Sequence, residues 1–282
     1  MIRNFKQILE KAREKGKKRV AVPAPQSRRV FQFLDEAEKN GLLIPVLAGE
    51  GEADQDSLDK AIAMARNGEV DLLFQGDAKM KDFIDALTVK ATGIAERESL
   101  SYISLFELPS ENRLIMITDT LIQAYPNIKQ KVRILENAIE FARTLGIETP
   151  KIAALSTMEQ VNFNVPSSVD AAVLSKMSER KQLKGIVEGP LDIDCASSRE
   201  RAVRKGLESL VAGQADVYFL PNIDASYSIA EILIFLGRST SAGALVGTRV
   251  PVVLNPRFES SASLLLDMAL ASIRREDYGD LL

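Results

Sequence analysis

The 282-residue chain contains no histidine and no tryptophan, and its only cysteine is Cys195. Without an imidazole there can be no Ser-His-Asp hydrolase, Cys-His protease, histidine-ligated zinc enzyme or phosphohistidine carrier, since each needs a side chain that titrates near neutral pH or binds metal through nitrogen. A single cysteine permits no intramolecular disulfide, which fits a reducing, cytoplasmic location. Long apolar runs are missing too. The best stretch, 229–236, is interrupted by Glu231 and falls short of the roughly 20 residues that span a bilayer. Residues 1–20 carry eight lysines and arginines without an apolar segment of signal-peptide type, so they predict a surface helix with Ile2, Phe5, Ile8 and Leu9 facing inward.

What is present describes a globular chain. At 46% apolar and 27% charged residues it can bury roughly three quarters of its unfolded surface, as one large domain or two ordinary ones. Lysine plus arginine at 36 against aspartate plus glutamate at 39 leaves a net charge of −3, too balanced for nucleic acid or an anionic membrane to be the main partner.

Short apolar runs alternate with amphipathic segments from one end to the other, the pattern of an α/β protein. Strands are expected at 19–22, 44–48, 70–74, 114–118, 151–155, 184–187, 217–220 and 250–254. Helices are expected at 30–40, 57–67 and 128–145, stopped by Gly41, Gly68 and Gly146. The later strands are continuous β-rich runs, which suits parallel strands covered on both faces.

Several of these runs end on polar groups: Ser156 after Leu155, Glu188-Gly189-Pro190 after Val187, Pro221-Asn222-Ile223-Asp224 after Leu220, and Asn255-Pro256-Arg257 after Leu254. Parallel sheets bind ligands outside the carboxyl ends of their strands, where the N-termini of following helices offer free N–H groups to anions. Nucleotide signatures are not met. Gly49-Glu50-Gly51 has Asp54 where a dinucleotide loop needs its third glycine, and no P-loop lysine follows a glycine pair in register. Asp192 and Asp194 would share a face if that segment is extended, and no metal site is expected. Cys195 reads as a small packed side chain.

The strings 184–194 (KGIVEGPLDID) and 211–217 (VAGQADV) resemble the phosphate acetyl/butyryltransferase family. The similarity continues through Arg19-Val20-Ala21-Val22, Thr118-Asp119, 150–156, 166–171, 174–177 and 250–254. The resemblance implies an α/β protein of two domains with mainly parallel sheets covered by helices, of isocitrate/isopropylmalate-dehydrogenase-like architecture. It implies a homodimer with the active site in the cleft between domains. Domain I would be residues 1–125 completed by 251–282, and domain II 126–250.

It further implies transfer of a short acyl group between coenzyme A and inorganic phosphate, with coenzyme A as substrate and no tightly bound cofactor. By position in the family motifs, Arg257 would bind the phosphate, with Glu259 and Ser260 beside it. Ser156, Asn222, Asp224, Ser226 and Asp119 would contact substrate, and which carboxylate acts as base stays open. Gln75, Ser226, Tyr227, Glu231 and Pro256 depart from the family pattern, so the alternative is a non-catalytic or repurposed relative that binds acyl-CoA or acyl phosphate.

Overall fold

The first stretch of the computed structural model runs α1 (Phe5–Glu14), β1 (Lys18–Val22), α2 (Arg28–Lys39), β2 (Leu43–Leu47), α3 (Gln55–Arg66), β3 (Leu72–Phe74) and α4 (Met80–Thr88). Next come β4 (Ser101–Glu107), β5 (Leu114–Thr118), α5 (Ile128–Thr144), β6 (Lys151–Leu155), α6 (Pro166–Glu179) and β7 (Ile186–Leu191). The remainder is α7 (Ile193–Ser197), α8 (Arg199–Arg204), β8 (Val217–Phe219), α9 (Ile223–Glu231), a π-helical turn (Ile232–Leu236), β9 (Thr240–Val246), β10 (Val252–Val253) and α10 (Ser261–Ile273). The structure describes residues 1–49, 51, 54–97, 99–108, 112–256 and 260–274.

The chain divides into two units. One, central in sequence, comprises Met1–Arg3 with Ser101–Thr240; the other, the terminal unit, comprises Asn4–Leu100 with Ser241–Leu282. The crossings fall after Arg3, Leu100 and Thr240; the resemblance implied boundaries at 125 and 250. Strand pairing accounts for the crossing after Leu100: β5 lies against β8 in parallel and against β4 in antiparallel register, which draws residues 101–118 into the central unit.

In the terminal unit the strand order is β2-β1-β3-β10-β9, parallel except for the pairing of β10 with β9. Val20, Ala21 and Val22 of β1 are fully buried. Phe33 of α2 and Phe74 of β3 meet with ring centroids 5.1 Å apart, a tilted contact worth about 0.5–1.5 kcal/mol beyond its buried area. The basic N-terminal segment forms α1, capped where the Asn4 side chain accepts from the Gln7 amide at 2.9 Å. Its apolar stripe of Phe5, Ile8 and Ala12 is buried and its lysines face solvent, as the helical spacing required.

The central unit has the order β4-β5-β8-β6-β7, parallel except for β4 with β5. Its core joins Phe106, Ile115, Ile117, Leu155, Leu191, Tyr218 and Leu220. Cys195 is buried in the same cluster, the packing role its isolation suggested. Helix α5 starts from a capping box in which Asn127 and Gln130 bond each other's main chain, and stops where Gly146 takes φ +81°.

Two expectations need correction. Glu188-Gly189-Pro190 is not a loop after a strand but lies inside β7, which continues to Leu191. Proline is tolerated there because β7 is the last strand in the order and needs no ladder on its outer side. Glycine is required beside it: a Cβ on Gly189 would sit 2.5 Å from the Ala154 carbonyl oxygen. Nor is the 192–194 segment extended. Asp192 caps α7 by accepting from the Cys195 amide at 2.9 Å, which turns Asp194 into the first helical turn.

Candidate active site

In the central unit, the carboxyl ends of β5, β6 and β8 carry Asp119, Ser156 and Pro221-Asn222. Asp119 is 4% exposed. One carboxylate oxygen, Oδ1, accepts from the amides of Leu121 and Ile122, each at 2.9 Å, while Oδ2 is buried without a hydrogen-bond partner. Burial raises its pKa to about 6, and the amide bonds from Ile122 and Leu121 oppose that only in part. A carboxylate at the ligand end of a strand, with one oxygen unused and a pKa near neutrality, is equipped to exchange a proton or accept a donor.

The segment after Asp119 is tied to the start of α9 in three places. The Ser226 hydroxyl donates to the Asp119 carbonyl, the Ile223 amide donates to the Ala124 carbonyl at 3.0 Å, and the Tyr125 hydroxyl donates to Asp224. Asn222 caps α9 by accepting from the Ala225 amide at 3.0 Å, and Asp224 stands exposed in the first turn. Ser226 is fully buried, so the hydroxyl expected to meet substrate faces inward and holds the loop instead. Tyr125 was not singled out from the sequence, because its partner is 99 residues away.

Ser156 follows β6, its hydroxyl 2.9 Å from that of Ser167 in the first turn of α6. The central unit thus brings Asp119, Asn222, Asp224 and Ser226 into one bonded group and sets Ser156 beside a second helix start. The N-termini of α6 and α9, at strand carboxyl ends, are electrostatically suited to anions.

Glu231 accepts from the Tyr227 hydroxyl; burial first, and that bond second, push Tyr227 above its usual range. A separate acidic group lies behind β7. Lys205 Nζ bonds Asp192 at 2.5 Å, Glu159 at 2.7 Å and Asp194 at 3.0 Å. The acidic ligand atoms and the Cys195 sulfur lie within 4.8 Å of one another, but the lysine ammonium already supplies the cation. Burial, then the bonds to Asp192, Asp194 and Glu159, push the Cys195 thiol up to about 12, so it stays protonated and is no nucleophile.

In the terminal unit, β3 ends in Gln75-Gly76 and β10 is followed by Leu254-Asn255-Pro256. Gln75 is buried, and both ends of its side-chain amide are bonded. Its amide nitrogen donates to the Ala78 carbonyl at 2.7 Å and its oxygen accepts from the Asn255 amide at 2.8 Å. Asn255 in turn donates to the Gly76 carbonyl at 2.8 Å, so Gln75 and Asn255 clamp two strand-end loops together. Asp77 accepts from the amides of Gln26 and Ser27 at 2.7 and 2.8 Å. Ser260 caps α10, accepting from the Ser263 amide at 3.1 Å. Arg257 and Glu259 lie outside the described residues.

Residues 51–271 match the family model described as phosphate acetyl/butaryl transferase. The chain is 33% identical to a phosphate butyryltransferase of Clostridium acetobutylicum, over 97% of this chain and 98% of that protein. It is 32% identical to a phosphate acetyltransferase of Thermotoga maritima, over 95% and 99% of the two chains. Among solved structures, a branched-chain phosphotransacylase from Enterococcus faecalis V583 superposes with a TM-score of 0.80 at 25% identity, covering 90% of this chain and 98% of that one.

Proposed function

The chain belongs to the phosphate acetyl/butaryl transferase family, and from that membership we propose that it transfers a short acyl group between coenzyme A and inorganic phosphate. The observation that carries this reading is the end-to-end similarity to a phosphate butyryltransferase, which leaves almost none of either chain unmatched. In the reaction a phosphate oxygen forms a bond to the thioester carbonyl carbon, the carbon–sulfur bond breaks, and the proton given up by phosphate is accounted for on the released thiol.

No histidine is needed for this. The protein must hold two anionic substrates at one place and favour the charge that develops on the carbonyl oxygen and sulfur. Arg257 is proposed to hold the phosphate, because a guanidinium pairs with phosphate through two parallel bonds. Glu259 and Ser260 are proposed to act beside it. Ser156, Asn222 and Asp224 would line the acyl-CoA path, and the buried tie from Ser226 would keep Asn222 and Asp224 in place. Asp119 is the described carboxylate whose pKa, about 6, suits acceptance of a proton.

Similarity over nearly the full length to a phosphate butyryltransferase and a phosphate acetyltransferase supports the catalytic reading over a purely binding relative. Coenzyme A enters as a substrate and no tightly held cofactor is invoked. A cytoplasmic homodimer is proposed with it; no described helix is long and apolar enough to cross a membrane. The test is thiol release from a panel of acetyl, butyryl, isobutyryl and isovaleryl coenzyme A. Release that requires phosphate supports the reading; no phosphate-dependent release from any of the four overturns it.

A further inference from the structure

The central unit contains a half-open cavity of about 540 Å³ unrelated to the strand ends above, lined by Glu188 of β7, by Arg199, Ala202 and Val203 of α8, and by the loop 207–212. We infer that this cavity binds a small zwitterion, an α-amino acid with a branched aliphatic side chain.

Its wall is built rather than incidental. The Glu188 carboxylate accepts from the Leu210 amide at 2.9 Å, from the Val211 amide at 3.3 Å and from the Ser209 hydroxyl, and so fixes the loop that closes one side. Gly213, just beyond that loop, packs so closely on the start of α8 that a Cβ there would lie 2.7 Å from the Arg199 amide nitrogen. The volume falls within the range of small-molecule sites.

The lining has two kinds of chemistry. Ala202, Ala212 and Leu207 give an apolar floor, and beside it Val203 and Leu210 stand 63% and 66% exposed, two aliphatic side chains left uncovered at the mouth of one cavity. At the rim, Arg199 and Glu208 face solvent, and neither forms an ion pair or side-chain hydrogen bond with any described residue. The other basic residues of α8 and its C-cap are engaged, Arg201 with Asp194, Arg204 with Glu200 and Lys205 with three carboxylates.

Charge decides among ligands. Two carboxylates, Glu188 and Glu208, stand against one guanidinium, so phosphate and the polyphosphate of coenzyme A are disfavoured. A plain carboxylate would gain Arg199 and face the two glutamates; a plain amine would gain the glutamates and face Arg199. A zwitterion satisfies both signs, with its carboxylate on Arg199, its ammonium on Glu208 and near the already bonded Glu188 carboxylate, and its aliphatic branch against the alanines and Leu207. This inference does not depend on the acyl-transfer reading, and each can fail alone.

The experiment is isothermal titration calorimetry of the full chain with L-leucine, compared with glycine, 4-methylpentanoate and 3-methylbutylamine. Each comparator lacks one of the three contacts, and each should bind at least about tenfold more weakly, or about 1.4 kcal/mol. Arg199→Ala and Glu208→Ala should each weaken leucine binding by at least about tenfold. Both side chains are exposed, so the urea midpoint should stay at the wild-type value, and coenzyme A should not displace leucine. The inference is overturned by absence of saturable leucine binding, by comparators that bind equally well, by binding that survives both substitutions, or by displacement with coenzyme A.

Discussion

Replacing Asp119 by asparagine separates the cost of its buried charge from its structural bonds. The folded carboxyl has a pKa of about 6 against an ordinary value of 3.8. At about 1.4 kcal/mol per pH unit, keeping it ionised at pH 7 or above costs the fold about 3 kcal/mol. The sign follows from proton binding. Between pH 3.8 and 6 the folded state holds the proton more tightly than the unfolded chain, so this group destabilises the fold progressively as pH rises through that window. Asp119→Asn keeps the oxygen that accepts from Leu121 and Ile122 and places an amide donor where Oδ2 has no partner; the protonated carboxyl of wild type leaves its O–H unmet at the same place, so that cost, about 1–3 kcal/mol, is common to the two and largely cancels. The variant should therefore lie within about 1 kcal/mol of wild type at pH 4 and be more stable by about 2–3 kcal/mol at pH 8. Urea denaturation of both proteins at pH 4, 5, 6, 7 and 8 gives the difference, in which the other titrating groups largely cancel. A difference that stays constant to within about 0.5 kcal/mol across this range would refute the reasoning, because Asp119 would then carry no charge penalty.

Three further outcomes are expected. Gly189→Ala forces a Cβ to within 2.5 Å of the Ala154 carbonyl oxygen and should cost at least about 2 kcal/mol, read as a lowered urea midpoint at unchanged slope. Lys205→Met removes the cation that holds Glu159 below its usual range, and helps, against burial, to hold Asp192 down; the variant should melt lower at pH 7, and the gap from wild type should close as pH falls through the carboxylate range. Arg257→Ala should lower kcat/KM for phosphate by at least about tenfold with the fold intact by circular dichroism, whereas a variant as active as wild type would remove Arg257 from the proposed site.

Strands with unbroken apolar runs could be read directly: 114–118 and 151–155 match β5 and β6 residue for residue, and 128–145 ends one residue past α5. The antiparallel strands β4 and β9 could not. Ser101 and Ser104 interrupt the first, and the middle of the second, Ser241-Ala242-Gly243-Ala244, is made of small residues that bury well yet carry no β-rich signal. Glu188-Gly189-Pro190 has the composition of a turn, and only its place on the last strand makes it part of β7. At the candidate site, Asp119 directly follows the readable run 114–118, and the family resemblance named it. Its unpaired oxygen, the inward turn of Ser226 and the clamp made by Gln75 depend on groups up to 180 residues apart, which no local pattern encodes.

The central claim is that acyl groups pass between sulfur and phosphate on this chain. Its most direct measurement incubates the protein with butyryl-CoA and radiolabelled inorganic phosphate and counts free thiol and labelled butyryl phosphate together. Equal amounts of the two, rising with protein concentration and absent without phosphate, are the predicted result. Thiol released without labelled acyl phosphate, or no release at all, would contradict it.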